Sequence, residues 1–179
     1  RGRVVKYVGK IVDVSEEYEL LEQSSTDALT RAYNRSYLQG RLREYCASKQ
    51  PDVSYACLLA DVDYFKSVND QFGHLVGDNL LTAFVDTART LFRTSDIVAR
   101  LGGDEFVVAL PDVPAAVLRK RLEEARHRLR TQSDSERSPF SMSVSVGVAS
   151  ARPGDDAASL VARADAAMYE DKRAGKEAR

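Results

Sequence analysis

At 179 residues and 19.8 kDa, the chain is long enough for one domain with a substantial core and a short appendage. Lysine and arginine total 26 against 27 acidic residues, so no basic stripe for gripping a nucleic-acid backbone is expected. Cys46 and Cys57 show neither the spacing of a zinc site nor that of a disulfide framework. The sequence contains no run of about 18 apolar residues, which is the length needed to cross a membrane. We expect a soluble, cytoplasmic chain. Its start at Arg1 suggests a piece of a longer protein, which could be membrane-anchored elsewhere.

The first two dozen residues predict a strand and then a helix. Residues 4–13 are β-branched and aromatic, which favours a strand too short to be stable alone. Ser15 suits the N-cap of the helix, whose apolar seam is spaced by four, three and four positions, as in a coiled coil. The seam consists of Val14, Tyr18, Leu21 and Ser25. A polar break follows, and the main domain is expected to span residues 25–179.

The elements of the main domain follow in clear order. Asn34 is placed to cap a helix whose apolar face carries Leu38, Leu42 and Tyr45. Next comes a buried strand that runs into acidic residues, and then the clearest helical periodicity in the chain. After the helix that Asn34 caps, the predicted elements are a strand at 54–60, a helix at 78–93, strands at 96–101 and 106–110, a helix at 114–131, a strand at 141–149 and a helix at 157–175.

Six of these elements give the order β-α-β-β-α-β, which is that of a ferredoxin-like α+β fold. We therefore expect an antiparallel central sheet flanked by helices, with the helices segregated to one face. In this topology the first and third core strands are antiparallel neighbours, so the end of one lies beside the start of the other. The acidic residues that meet there are Asp61, Asp63, Asp104 and Glu105.

A cluster of like charges is costly unless a cation lies among them. Clustered hard oxygen ligands suit Mg²⁺ bound jointly by protein and phosphates, which predicts a divalent-metal site for a phosphorylated substrate. Gly102 and Gly103 would let the backbone approach a ligand closely. Two plainer interpretations stay open: the glycines form an ordinary hairpin turn, and the acids form a solvated edge of the sheet.

Several motifs, in order, resemble those of the GGDEF-domain diguanylate cyclases. The resemblance rests on "RLGGDEF" and the upstream "DVDYFKSVNDQFGHLVGD", with support from "STDALTRAYNR", "SVSVGVA" and "ADAAMYEDKRAGK". Together they cover about residues 25–176. Enzymes of this family condense two GTP molecules into cyclic di-GMP and release pyrophosphate, on a ferredoxin-like palm similar to that of nucleotide cyclases and some polymerases.

The resemblance implies two Mg²⁺ or Mn²⁺ ions in each active site. It makes Asp61 and Asp104 metal ligands, together with the backbone carbonyl of Val62. Glu105 would serve a second metal or the charge of the transition state. The 3′-hydroxyl of one GTP attacks the α-phosphorus of the other, so two metals can serve the attacking and the leaving oxygens. Asp104 is the candidate proton acceptor, although deprotonation without it stays open.

The resemblance also implies a set of residues that bind GTP. Asn69 and Asp78 match a guanine-reading pair, since a carboxylate can accept from guanine N1–H and the N2 amino group, which adenine lacks. Lys66 matches a catalytic phosphate contact. Plainer readings remain for three of them: Lys66 as a solvated lysine, His74 as a structural residue, and Asp78 as a helix N-cap. The full set is Lys66, Asn69, His74, Asp78, Gly102, Gly103, Lys172 and Lys176.

Two further motifs match ligand-binding positions of the family. Lys172 and Lys176 share a helix face and match two phosphate contacts, although Lys176 stands where many members have arginine, which forms a bidentate fork. Arg93 and Asp96 match a product-inhibition site for cyclic di-GMP, at the expected offset from the glycines. A bare Arg-x-x-Asp string is common, so the offset carries this interpretation.

Residues 1–24 resemble the end of a PAS-like sensory domain and a connector helix. Each protomer supplies only half of an active site, because one GTP must face another, so catalysis implies a homodimer. A connector helix that dimerises would let the upstream sensory domain control this pairing. The alternative is a catalytically silent domain that binds GTP or cyclic di-GMP and signals through a partner. A related enzyme that makes a hybrid cyclic GMP-AMP product is a third option, against which Asp78 argues.

Overall fold

The computed structural model describes residues 25–47, 56–111, 143–152 and 154–177, together with helical positions at Val117, Lys120, Glu124 and His127. The strand and helix predicted before residue 25 lie outside the described residues. So does most of the helix predicted at 114–131, whose four described positions are helical. Within the described part of the chain, no helix is both long and apolar enough to cross a membrane.

A five-stranded sheet forms the centre of the domain, in the order β1-β3-β4-β2-β5. The strands are β1 (Tyr33–Asn34), β2 (Ala56–Val62), β3 (Ile97–Gly102), β4 (Glu105–Leu110) and β5 (Val144–Ser150). The four long strands pair antiparallel, and β2 lies between β4 and β5, as the ferredoxin-like order predicts. The short β1 pairs parallel with β3 and makes the sheet mixed, which the prediction of an antiparallel sheet did not include.

Four helices are continuous within the described residues: α1 (Arg35–Ala47), α2 (Phe65–Phe72), α3 (His74–Leu91) and α4 (Ala157–Glu177). Asn34 caps α1 as predicted, because its Oδ1 accepts a hydrogen bond of 3.0 Å from the Tyr37 N–H. The sequence analysis missed α2 and placed the start of α3 too late. Because α3 begins at His74, Asp78 lies inside the helix, and its interpretation as the N-cap is wrong.

Helices cover both faces of the sheet, whereas the six-element order predicts its own two helices on one face. On one face, α3 packs Leu81, Phe84 and Val85 into a core with alternate residues of β2 and β4. On the other face, α1 and α4 bury apolar side chains that include Leu38 and Leu160. These two helices are additional to the six-element core. All seven residues of β2 are buried as a result, since β2 has a strand on each side and helices above and below.

The packing of α4 on β5 depends on Gly147. A Cβ placed on Gly147 would lie 2.0 Å from the carbonyl oxygen of Ala164 and 2.2 Å from the backbone nitrogen of Met168. The two backbones are therefore in direct contact. The Val146 N–H also donates to Asp171 Oδ2 at 3.0 Å, which ties the next turn of α4 to the same strand. Together these contacts fix the height and position of α4 over the sheet.

Replacing Gly147 by alanine should destabilise the protein. The new methyl group collides with the backbone of α4, which cannot rotate away, so we expect a loss of about 1–3 kcal/mol in the free energy of unfolding. Urea denaturation followed by circular dichroism measures this change. Gly40→Ala in α1 is the matched control, because no atom lies within 4 Å of its Cβ position. The control should be neutral or stabilising by up to about 1 kcal/mol. Equal stabilities of the two variants would contradict this account.

Candidate active site

The end of β2 and the turn between β3 and β4 meet at one edge of the sheet. Asp61 pairs directly with Glu105 across the strands, and residues opposite each other point to the same face. The Val62 N–H donates to the carbonyl oxygen of Asp104 at 3.1 Å, which joins the strand end to the turn. Three of the predicted acidic residues are thus neighbours. Their roles toward a metal remain predictions.

Asp61 is a buried carboxylate with a cationic partner from the far end of the chain. Its side chain is 10% exposed, and Lys172 Nζ donates to its Oδ1 at 2.7 Å. Burial alone would lower the pKa of Lys172, but the hydrogen bond to Asp61 and the surrounding carboxylates outweigh burial and raise it. The sequence analysis assigned Lys172 to phosphate and did not foresee this pair, because no local pattern links residues 111 positions apart.

The environment of Asp104 favours the protonated form of its carboxyl group. Burial and the negative charge of Asp61 raise the pKa of Asp104 above its usual value, whereas Lys172 and Arg100 act against this shift. A carboxylate with a raised pKa holds a proton more readily than an ordinary aspartate. The prediction of Asp104 as a proton acceptor is compatible with this environment.

Asp63 lies at the same edge, but its carboxylate oxygens already have partners. Its Oδ2 accepts a hydrogen bond from Ser143 Oγ and its Oδ1 accepts one from Ser145 Oγ, both at 2.6 Å. The negative charge of Asp63 still contributes to the raised pKa of Lys172. Of the four carboxylates expected at this edge, Asp63 therefore differs from the other three, because serine hydroxyls engage both of its oxygens.

The glycine turn is held in place by Arg100, which the sequence analysis did not single out. Gly103 has a φ of 53°, a left-handed conformation that suits glycine. The Arg100 guanidinium donates to the Gly103 carbonyl oxygen through Nε at 3.0 Å and Nη2 at 2.8 Å. Its Nη1 donates to Asp27 Oδ1 at 3.0 Å. The only feature of the sequence that could have pointed to this role of Arg100 is its position shortly before the two glycines.

The predicted guanine-reading residues lie at the junction of α2 and α3. Asn69 Oδ1 is buried, and within the described part of the chain no hydrogen-bond partner reaches it. Gly77 makes room for this amide, since a Cβ on Gly77 would lie 2.0 Å from Asn69 Oδ1. Asp78 follows directly and is half-buried. An unsatisfied buried acceptor is rare in proteins and is compatible with a ligand donor, and Gly77 is a residue that the sequence analysis missed.

The other predicted nucleotide contacts are exposed or lie beyond the described side chains. Lys66 is exposed on α2, and His74 is the exposed first residue of α3. Lys176 lies one turn beyond Lys172 in α4, but its side chain is outside the described part of the structure. Among the described residues, no hydrogen bond or ion pair of the Lys66 or His74 side chain favours a structural role over a ligand contact.

Arg93 and Asp96 form one turn at the end of α3. The Arg93 N–H donates to Asp96 Oδ2 at 2.8 Å, and the Asp96 N–H donates to the Arg93 carbonyl oxygen at 2.9 Å. Asp96 is 7% exposed, whereas Arg93 is exposed. The two residues line a cavity of about 280 Å³ together with Arg89 and Thr94. The structure brings the predicted inhibitory pair together, and its ligand remains a prediction.

The described residues do not by themselves form a complete metal-binding site. Among them, no three histidine, cysteine, aspartate or glutamate side chains are gathered closely enough to hold an ion. The donors present at the turn are the carboxylates of Asp61, Asp104 and Glu105 and the backbone carbonyls of the strand end. Hard oxygen donors of this kind fit Mg²⁺, which proteins commonly bind through one or two carboxylates completed by substrate phosphates and water.

Comparisons with known proteins agree with this arrangement. The family model "Diguanylate cyclase, GGDEF domain" matches residues 24–178. Diguanylate cyclase DgcP of Pseudomonas aeruginosa is 35% identical over 158 residues, which cover 87% of this chain and 24% of that protein. Response regulator PleD of Caulobacter vibrioides is 35% identical over 184 residues, which cover 99% of this chain and 39% of that protein. The chain thus spans well under half the length of these two relatives.

Solved structures give the same result. The coiled coil and GGDEF domain of DgcB from Caulobacter crescentus, in complex with c-di-GMP, matches with a TM-score of 0.82 and 30% identity, over 89% of this chain and 86% of that one. Diguanylate cyclase SiaD from Pseudomonas aeruginosa, in complex with its activator SiaC, matches with a TM-score of 0.80 and 36% identity, over 89% and 62% of the two chains. The chain belongs to the GGDEF-domain family of diguanylate cyclases.

Proposed function

We propose that this chain is a catalytically active diguanylate cyclase, which condenses two GTP molecules into cyclic di-GMP and two pyrophosphates. The observation that supports the proposal most is the charge arrangement at the end of β2. A buried Asp61, its Lys172 partner and an Asp104 of raised pKa lie beside the glycine turn. Holding Asp61 and Asp104 together costs stability, and perturbed acids of this kind cluster at functional sites.

In this proposal, Asp61, Asp104, Glu105 and the Val62 carbonyl hold two Mg²⁺ or Mn²⁺ ions. When bound, the ions neutralise phosphate charge and align the attacking and leaving oxygens. The peptide between Val62 and Asp63 supports the carbonyl assignment. Its N–H donates toward β5, to the Ser143 carbonyl oxygen at 2.9 Å. Since the C=O and N–H of a trans peptide point in opposite directions, the Val62 carbonyl is directed to the β4 side, where the acidic turn lies.

Asp104 is the proposed proton acceptor for the 3′-hydroxyl of GTP. That oxygen attacks the α-phosphorus of the facing GTP, a new P–O bond forms, and the bond to the β-phosphate breaks to release pyrophosphate. The raised pKa of Asp104 brings it closer to the working pH, which favours proton transfer. Glu105, opposite Asp61, adds negative charge at the same edge.

Recognition of GTP is proposed for the α2–α3 junction and for α4. Asn69 presents a buried amide, and Asp78 presents a carboxylate that can accept from guanine N1–H and the N2 amino group. Lys66, near the start of α2, and His74, the first residue of α3, are exposed and are proposed to contact the substrate. Lys172 lies beside the acidic turn, paired with Asp61, and we propose that it also contacts the phosphates of GTP. Gly102, Gly103 and Lys176 complete the phosphate contacts.

One domain holds one GTP, so the reaction requires two copies of the domain with their nucleotides face to face. We propose a homodimer for catalysis, under the control of an upstream sensory domain. Cyclic di-GMP is proposed to inhibit the enzyme at the turn of Arg93 and Asp96. The exposed arginine and the buried carboxylate beside the adjoining cavity offer a cation for phosphate and an acceptor for guanine.

Incubation with GTP and Mg²⁺ should yield cyclic di-GMP, detected by chromatography with mass detection. Asp104→Asn should lower the rate by about 10²–10⁴-fold, because the amide cannot accept the proton and binds metal poorly. Asp86→Asn, an exposed acid on α3, is the matched control and should leave the rate unchanged. An enforced dimer of the wild type is tested in parallel. A folded wild type that binds GTP but forms no product even as an enforced dimer would establish the silent binding domain instead.

The raised pKa of Asp104 predicts a pH-dependent gain in stability for Asp104→Asn in the absence of metal. The unfolded state carries the Asp104 charge in water, whereas the folded state carries it in a partly buried position beside Asp61, so wild-type stability falls as the pH rises from the ordinary pKa of aspartate through this raised pKa. The asparagine variant should therefore unfold at higher urea than the wild type near about pH 7, with EDTA present. The difference should fade near about pH 3, where both states of the wild type are protonated. A difference that does not vary with pH would contradict this origin.

If Asp78 reads the guanine base, Asp78→Ala should lose the discrimination between GTP and ITP, a nucleotide that lacks the N2 amino group. The wild type should prefer GTP by about 10–100-fold in kcat/KM, because ITP leaves the carboxylate of Asp78 incompletely paired. In Asp78→Ala this preference should shrink toward equality. Asp86→Ala serves as the control and should keep it. An unchanged preference in Asp78→Ala would remove Asp78 from the guanine site.

A further inference from the structure

Asp63 is the acid at this edge that the proposed mechanism does not use. Both of its carboxylate oxygens accept short hydrogen bonds, one from Ser143 Oγ and one from Ser145 Oγ. Ser145 is 4% exposed, so at least one of these bonds is shielded from water. A carboxylate that accepts hydroxyl donors on both oxygens has fewer lone pairs to offer a metal.

The same residue is also held through its backbone. The Asp63 N–H donates to the Ser143 carbonyl oxygen, one step beyond the last β2–β5 pair, Val62 with Val144. Side chain and backbone of Asp63 are therefore anchored to one strand. This anchoring fixes the plane of the Val62–Asp63 peptide, and with it the direction of the Val62 carbonyl toward β4.

The chain turns sharply immediately after this peptide. Tyr64 has a φ of 61° and a ψ of 17°, a left-handed conformation that is unfavourable for a non-glycine residue. Within the described residues, α2 has no side-chain hydrogen bond at its N-cap. A strained corner persists only where its surroundings hold it. The bonds of Asp63 to Ser143 and Ser145 hold this corner before Tyr64, and the Val68 N–H, which donates to the Tyr64 carbonyl oxygen at 3.0 Å, holds it after.

We infer that Asp63 is a positioning residue for the metal site. Through the hydroxyls of Ser143 and Ser145 it holds the corner after β2, so that the Val62 carbonyl and the Asp61 carboxylate stay beside Asp104. Asp63 itself does not ligate the metal. This inference rests on the proposed metal site. It adds Ser143, which directly precedes β5, and Ser145 in β5 to the residues on which metal affinity depends, although neither serine touches the metal or the substrate.

The test compares Ser143→Thr with Ser143→Val. The two new side chains have the same shape and the same preference for a strand, and differ in one hydroxyl against one methyl group. Mn²⁺ alone is the probe, and electron paramagnetic resonance counts the free ion. We expect Ser143→Val to weaken Mn²⁺ binding by about tenfold, in the range found when a group that orients a metal ligand is removed. Ser143→Thr should stay within about twofold of the wild type.

Three further variants make the result decisive. Ser150→Val, at the exposed end of β5, controls for a change in the strand itself and should bind Mn²⁺ as the wild type does. Ser143→Ala replaces the valine variant if that variant fails to fold by circular dichroism. Asp61→Asn should abolish Mn²⁺ binding if the proposed metal site is correct.

The outcomes separate the two hypotheses. If Asp61→Asn abolishes binding while the valine and threonine variants match the wild type, the metal site stands and the positioning role is wrong. If Ser143→Val binds Mn²⁺ more tightly, the released Asp63 is itself a ligand, which also overturns the inference. If Asp61→Asn binds as the wild type does, the proposed metal site fails and the inference fails with it.

Discussion

The structure depends on one constraint: its central strand ends in a buried carboxylate. β2 is covered by strands on both sides and by helices on both faces, so Asp61 is largely shielded from water. An isolated buried charge costs several kcal/mol, and a cation must reach it. Lys172 supplies that cation only because α4 lies directly on β5, which in turn requires the missing side chain of Gly147. The buried charge of Asp61 is therefore compensated only if α4 packs closely on β5.

The acidic turn shows the conflict between stability and binding. Asp104 is placed beside Asp61, where burial and like charge raise the pKa of Asp104, although a backbone hydrogen bond and the charges of Lys172 and Arg100 oppose the effect. Without a bound cation this arrangement is less favourable than separated acids would be. Lys172 partly offsets it and keeps the carboxylates together. A divalent cation bound between these carboxylates would relieve their repulsion.

Glycine serves two different physical purposes around the site. Gly103 adopts a left-handed backbone, which Arg100 holds through its carbonyl oxygen. Gly77 and Gly147 instead allow close approach, of the Asn69 amide in one case and of the α4 backbone in the other. A sequence pattern points to the first kind, because paired glycines mark a turn. It does not reveal the second kind, because the neighbour that a Cβ would strike comes from another element.

The sequence by itself determined the order of the elements, the long strands to within two or three residues, and the meeting of Asp61 with the turn. These follow from local hydrophobic periodicity and from the few topologies that a β-α-β-β-α-β order allows. It did not determine that helices cover both faces, that α2 exists, or that Asp78 lies inside α3. Only the tertiary structure decided the partners of the charged groups: Lys172 on Asp61, Ser143 and Ser145 on Asp63, and Arg100 on Gly103. Most of these contacts join positions far apart in the chain, and their energies depend on burial and distance, which a linear pattern does not contain.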